Sequence, residues 1–378
     1  MKYKNISNSL YIKGRIGWKG LKKKEYLKKS GYRIINGSNI SNGKINWSDC
    51  GYITKQRYFE SPEIMLQKGD ILVTKDGTIG KVALVEDLVQ PSTIASGLFI
   101  VRNKATAECD TLFLYYYLQT RKFKEFIHSR TEGSVIPHLY QKDFKEFKIP
   151  DISLANQRQI SSKLNYIQKK ITLNNQLNDN LDELMTLIFE KFINKNKFKK
   201  ESLSNIANYQ NGLAMKNFPP KNGEKGLPVL KIKELNQGYT DFSSDRCTSK
   251  IDNSVIVHVG DIVFSWSGTL LVKNWSGNIA GLNQHLFKVT SKIFPEWFIY
   301  EWTKYYLRKF QIIAAGKATT MGHIKRSDIN NSIVYVPNKS YLNDASRVMN
   351  PIYNKRIEII KENQQLNTIK QVLLHNFF

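Results

Sequence analysis

Two stretches of this chain, nearly two hundred residues apart, repeat one another. Residues 68–85 read "KGDILVTKDGTIGKVALV" and residues 259–277 read "VGDIVFSWSGTLLVKNWSG". Each has Gly-Asp, then a run of Ile, Leu, Val or Phe, then a polar turn closing on Gly-Thr. A repeat at long period constrains the fold more than composition does, because each copy must form one structural unit. The repeat is closer in "VIPHLYQKDFKEFKIP" at 135–150 and "TMGHIKRSDINNSIVYVP" at 320–337. These place His138 on His323 and Asp143 on Asp328 at an offset of 185. The same offset carries Ile167 onto Ile352, Asn178 onto Asn363, Leu181 onto Leu366 and Leu184 onto Ile369. Upstream, Ile40 matches Leu235 and Gly43 matches Gly238 at an offset of 195, so small insertions separate the copies. The chain reads as a tandem duplication with divergent heads and well-matched tails.

Each tail is expected to be one long helix, over 151–197 and 339–378. Apolar residues at spacings of three and four mark a heptad seam: Ile160, Leu164, Ile167, Ile171, Leu181, Leu184 and Ile188. Asn174 and Asn178 interrupt it. The second seam has Met349, Ile352, Ile359, Leu366, Ile369 and Leu373, with Asn363 as its polar member. Pro351 is read as a tolerated first-turn proline. About 40 residues make a rod of roughly 60 Å. Each helix could pack on its own head alone, but equal lengths and matching polar breaks favour the two pairing with each other. The expectation is an antiparallel coiled coil with an approximate twofold axis.

The heads, 1–150 and 198–338, are mixed α/β, which makes the fold class α+β. "GDILVTKDG", "GDIVFSWSG", "GLFIVR" and "GLNQHLFKV" read as strands and turns. "LFLYYYLQTRKFKEFIHS" and "EWFIYEWTKYYLRKFQII" read as aromatic helices belonging to the core. Lys plus Arg number 57 against 32 Asp plus Glu, a net charge of +25. That excess costs self-repulsion and points to a polyanionic partner, nucleic acid above all. A membrane surface is disfavoured, because the basic residues are spread along the chain. Cys50, Cys109 and Cys247 are too few and too scattered for a disulfide framework or a zinc cluster. The first residues lack an apolar leader core, so a cytoplasmic location is expected.

No catalytic pattern emerges. "GRIGWKG" spaces its glycines wrongly for a dinucleotide or methyl-donor loop, and "NFPP" at 217–220 has the wrong order for an adenine methyltransferase loop. Glu146 and Lys148 form an E-x-K pair that the second copy does not repeat. There is no Walker loop and no histidine pair with metal-ligand spacing. His138 and His323 are read as structural hydrogen-bonding residues. The chain reads as a non-catalytic binder that needs no cofactor and no metal.

The "GDILVTKDGTIGKVALV" hairpin resembles a signature of the specificity (S) subunits of type I restriction–modification systems. "IPDISLANQRQISSKL" is similar to that family's "IPLPPLxEQxxI" entry into its conserved helix, with Asn156-Gln157 where Glu-Gln is usual. The second copy, "VYVPNKSYLNDASRVM", lacks that entry. The family order is recognition domain, helix, recognition domain, helix, and this chain follows it over essentially its whole length. The resemblance implies target-recognition domains at 1–150 and 198–338, each reading half of a bipartite site in double-stranded DNA, with the helices setting the spacing. It implies docking of two methyltransferase (M) subunits and of restriction (R) subunits, which carry the chemistry.

DNA contacts are expected from Lys, Arg, Asn, Ser or Thr on loops held by a rigid scaffold. In the first head these are Trp18, Lys19, Lys22, Lys23, Lys24, Lys75, Arg130 and Ser134. In the second they are Lys216, Asn217, Lys221, Lys273, Lys317, Thr319 and Thr320. A solvated surface competes for each lysine, and "KGLKKKEYLKK" could be an exposed helix. The rival functions are a fragment of a fused methyltransferase–nuclease and a stand-alone structural or regulatory DNA-binding protein.

Overall fold

Each Gly-Asp pair closes a tight turn that feeds a strand. Gly69 and Gly260 hold φ at 90° and 95°, a conformation that residues with a Cβ rarely adopt. The following carboxylate accepts the backbone N–H three residues earlier, Gln67 to Asp70 and His258 to Asp261, each at 2.7 Å. A cation on the neighbouring strand completes the turn. Arg102 grips both oxygens of Asp70 at 2.6 and 2.8 Å, and Lys288 reaches Asp261 at 2.7 Å. The Asp70 carboxylate is fully buried, so without Arg102 its desolvation would be uncompensated. This clamp fixes where each central hairpin begins.

The computed structural model describes residues 2–17, 20–41, 43–131, 138–193, 198–241, 243–316 and 322–378. The chain divides into two compact units, one of Met1–Lys169 with Ile369–Phe378, the other of Lys170–Thr368. In the first unit, strands Leu10–Gly14, Leu98–Asn103, Ile71–Thr74 and Val82–Leu84 form an antiparallel sheet in that order. A second sheet orders Gly51–Tyr52, Arg33–Ile35 and Ser92–Ile94, the last two parallel. Tyr3–Asn5 pairs with Lys148–Pro150.

The second unit repeats this topology. Asn208–Asn211, Leu286–Thr290, Ile262–Ser265 and Val272–Asn274 form the antiparallel sheet. Arg246–Cys247, Leu227–Leu230 and Ala280–Leu282 form the second sheet, again with a parallel pair and here with Ile256–Val257 added at the edge. Lys199–Ser202 pairs with Ile333–Val336.

The aromatic stretches are core in both units. Phe113, Tyr116 and Phe123 are buried in the first, and Trp297, Phe298 and Trp302 in the second. The first stretch is two helices, Thr111–Tyr117 and Arg121–Thr131, where one was expected; Thr120 Oγ1 donates to the Tyr117 carbonyl at 2.7 Å at the break. The second is continuous over Glu296–Ala315. The lysine-rich "KGLKKKEYLKK" forms only a single 3-10 turn at Lys23–Glu25. Gly43 and Gly238 both have positive φ, but the first closes a hairpin while the second caps a short helix, Ile232–Gln237.

The long helices span Leu154–Ile193 and Lys339–Phe377. Pro351 therefore lies more than three turns inside the second helix, not in its first turn. Burial of the flanking Met349 and Tyr353 holds the helix through the missing hydrogen bond. The helix entry is set by Gln157, which is fully buried. Its Oε1 accepts from Asp110 N–H at 2.9 Å, and its Nε2 donates to the carbonyls of Ile152 and Glu108. The equivalent position in the second copy is Leu342, packed on the core.

The heptad reading is right in period and displaced in places. Leu164, Ile167, Ile171, Met349, Ile359 and Asn363 are buried, and Ile160, Asn178, Leu181, Ile188, Ile352, Leu366 and Leu373 are partly buried. Leu184 and Ile369 instead face outward, 44% and 48% exposed, while the adjacent Met185 and Lys370 turn inward. Asn363 is paired with Asn174, at 2.9 Å, and with Asn175, at 2.8 Å, not with Asn178. The Oδ1 of Asn178 is buried without a hydrogen-bond partner.

Within the first unit the C-terminal segment completes the core. The Phe378 ring lies 5.0 Å from Phe113 and 5.4 Å from Tyr117, and Leu374 is buried with Leu164 in the same cluster. Lys370 donates to Gln168 Oε1 at 2.7 Å. Phe378→Ala should destabilise the first unit by about 3 kcal/mol. Hydrogen exchange should show faster amide exchange in the first unit and unchanged protection in the second.

Candidate nucleic-acid interface

In each unit the central hairpin turn is braced by the loop that carries the repeated histidine. Lys75 N–H donates to Gly97 O at 2.9 Å, and Leu139 N–H donates to Lys75 O at 3.1 Å. The His138 ring contacts the Asp76 carboxylate. In the second unit Trp266 N–H donates to His285 O at 3.3 Å, Ile324 N–H donates to Trp266 O at 3.1 Å, and His323 bridges Ser267. The His138 contact fits the structural role expected for that residue, while His323 is tied to the turn through its backbone. The turns are thus rigid platforms whose side chains differ while their backbones match.

The expected DNA-contacting residues fall into several different environments. Trp18, Lys19, Ser134, Lys317, Thr319 and Thr320 lie outside the described residues. Lys22 and Lys24 are exposed at the 3-10 turn that also contains Lys23. Lys75 is half-buried in the hairpin turn. Arg130 pairs with Glu146 at the end of its helix. Lys216, Asn217 and Lys221 are exposed in the second unit, Lys216 on the rim of a cleft of about 420 Å³. Lys273 is not part of any such surface: it is half-buried, its ammonium donates to Asn236 O at 2.9 Å, and burial lowers its pKa.

The cleft also brings together residues that sequence reasoning missed: Lys231, Arg246, Asn283 and Gln284, over a floor of Met215 and Val229. Lys231 pairs with Asp245, and Arg246 donates to the Lys225 and Gly226 carbonyls, so these cations hold loop geometry as well as facing the cleft. They lie in the divergent part of the repeat, where no counterpart in the first head could flag them. The three cysteines are buried free thiols, and burial raises Cys50 to about 11 and Cys109 to about 12. Among the described residues no cluster of His, Cys, Asp and Glu could hold a metal ion.

A buried polar network ties the aromatic helix of the second unit to both long helices. Asp182 on the first accepts from Arg356 on the second at 2.8 Å and from Tyr300 at 3.0 Å, and also pairs with Lys304. Beside it Glu301 is buried, with Thr186 donating to Oε2 at 3.3 Å and Oε1 unpartnered. Burial pushes the Glu301 carboxyl from its ordinary 4.5 up to about 7, and Asp182 adds to the rise while Lys304 and Arg356 oppose it. A raised carboxyl favours folding while it is protonated, so this contribution is lost as pH rises from 4.5 through 7. Glu301→Gln should therefore raise Tm at pH 8 by about 3–6 °C and leave it unchanged near pH 4.5, as followed by thermal unfolding.

The comparisons with known proteins converge. The Type I restriction modification DNA specificity domain family matches residues 17–183. The chain is 26% identical over 369 residues to the type I restriction enzyme MjaIX specificity subunit of Methanocaldococcus jannaschii, covering 89% of this chain and 81% of that protein. The chain is similar to type I restriction–modification specificity subunits over most of its length. It is also 23% identical over 268 residues to the type I restriction enzyme EcoKI specificity subunit of Escherichia coli, across 65% of this chain and 57% of that one. The crystal structure of a type I S subunit from M. genitalium shares the fold, with a TM-score of 0.54 at 16% identity over 100% of this chain and 96% of that one. The duplicated head is thus a fold shared with that solved structure.

Proposed function

We propose that this chain is a specificity subunit that gives a type I restriction–modification complex its DNA sequence preference. The heads at 1–150 and 198–338 are read as target-recognition domains, each taking one half of a bipartite site. The observation that carries the reading is one scaffold built twice, with the same strand order and hairpin bracing, but with different side chains on the turns. A net charge of +25 supplies the affinity for duplex DNA. The long helices are read as an antiparallel coiled coil that spaces the heads about a pseudo-twofold axis. The pairings of Asn174 with Asn363 and of Asp182 with Arg356 support that direction, as does Gln168 with Lys370 in the other unit. Methyl transfer, ATP use and cleavage belong in this reading to partner M and R subunits, and the chain itself is non-catalytic. Among the described residues no helix is long and apolar enough to cross a membrane.

The outward face of the first long helix supports docking of a methyltransferase partner. Leu173, Leu177, Leu184 and Leu187 are 62%, 45%, 44% and 51% exposed. Their spacings of four, seven and three residues put them on one stripe of the helix. Leucines so placed leave about half of their apolar surface in water, which is disfavoured. Leu177→Glu with Leu184→Glu should leave Tm within about 1–2 °C of wild type. The same pair should abolish co-purification of the methyltransferase encoded with this chain, as read by size-exclusion chromatography with light scattering. Unchanged co-purification would remove the helix from the docking surface.

DNA binding by the chain alone is tested by a salt titration. Each neutralised phosphate contributes about −0.9 to the slope of log K against log salt, so several contacts give a steep line. A flat line would mean that the charge is unrelated to nucleic acid.

A further inference from the structure

The two hairpin turns differ at one residue whose surroundings match. Lys75 follows strand Ile71–Thr74, and Trp266 follows strand Ile262–Ser265. The backbone N–H and carbonyl of each are bonded to equivalent partners, as described above. Both side chains rest on the equivalent phenylalanine of the adjacent strand. The Lys75 ammonium is 4.9 Å from the centre of the Phe99 ring, and the Trp266 ring stacks on Phe287 at 5.8 Å and 29°. Both are half-buried, so each offers its outer side to a ligand.

What each can offer is different. The Trp266 indole N–H already donates to Asn211 Oδ1 at 3.2 Å, leaving an apolar ring edge and face. His285 lies 5.7 Å from that ring, and its Nδ1 is buried with no hydrogen-bond partner. The Lys75 ammonium is held over the Phe99 ring by a cation–π contact, an attraction weak enough to be released to a phosphate.

We propose that this one hairpin position touches DNA in both heads by different physics: Lys75 neutralises a phosphate, and Trp266 makes an apolar contact with a sugar or a thymine methyl. The proposal rests on the DNA-binding reading above. A charge contact releases counterions and an apolar one does not. A single observable, the salt dependence of binding, therefore separates the two.

The experiment is a salt titration of the full chain on a 40-base-pair duplex of random sequence. Lys75→Ala should lower the magnitude of the slope by about 0.9, and Lys75→Arg should restore it. Trp266→Ala should weaken binding roughly three- to tenfold at every salt concentration with an unchanged slope, and Trp266→Phe should recover most of the loss. Trp266→Lys places the first head's residue in the second head and should steepen the slope by about 0.9, which keeps the test open if Trp266→Ala fails to fold. Lys104 sits over the Tyr11 ring at 4.8 Å just beyond the far end of the same strand, so Lys104→Ala removes a similar cation away from the turn and should change nothing. A Lys75→Ala slope equal to wild type, or a Trp266→Ala line that superimposes on wild type, would overturn the assignment. Absence of salt-dependent binding by the wild-type chain would instead overturn the DNA-binding reading on which the assignment stands.

Discussion

Each head depends on burying long-helix segments from both tails. In the first unit the last residue of the chain, Phe378, lies among Phe113 and Tyr117, and Leu374 joins Leu164 in the same core. In the second unit Met185 and Phe189 of one helix and Met349 and Tyr353 of the other are buried together with Trp297 and Trp302. Burying side chains of this size stabilises each unit by several kcal/mol, well above what one hydrogen bond contributes. A head and the helix segments beneath it are therefore one folding unit. Any signal passed along a helix in either unit must act on a surface already packed against the recognition sheets.

Charge is used in two ways. Part of the cationic excess is structural: Arg102 and Lys288 clamp the Gly-Asp turns, Arg356 is buried against Asp182, and Lys370 is buried on Gln168. Lys273 belongs to this group too, spent on a backbone carbonyl. Replacing such residues would be felt in folding before it was felt in binding. The cations left for a polyanion are the exposed ones, among them Lys22 and Lys24 in the first unit and Lys216 at the second-unit cleft. Composition alone cannot distinguish the two populations, because both enter the same net charge.

Much of the fold was legible because repetition and periodicity survive in sequence. The Gly-Asp hairpins, the aromatic cores and both long helices sit where their patterns put them. The misses have physical causes. The seam slipped by one residue at Leu184 and Ile369 because the inward neighbours, Met185 and Lys370, serve local head contacts that a heptad count does not contain. Asn363 meets Asn174 and Asn175, a pairing that depends on the partner helix and could not be read from position within the repeat. Pro351 was misplaced because the helix begins earlier than a proline rule allows when burial on both sides holds it. The candidate site was less legible. The repeat carries no sign of how exposed Trp266 is, because its half-buried place on Phe287 depends on a neighbouring strand.

The central claim is that two copies of one scaffold read two independent half-sites. It is tested most directly by methylome sequencing of a host that expresses this chain with its methyltransferase partner. The comparison is with a variant whose residues 1–150 come from another family member, with the Phe113 and Tyr117 contacts to Phe378 retained so that the first unit still closes. The account predicts a bipartite methylated site in the wild type and a variant site that differs in one half, with the other half and the spacer unchanged. A continuous site, or a variant in which both halves change, would contradict it.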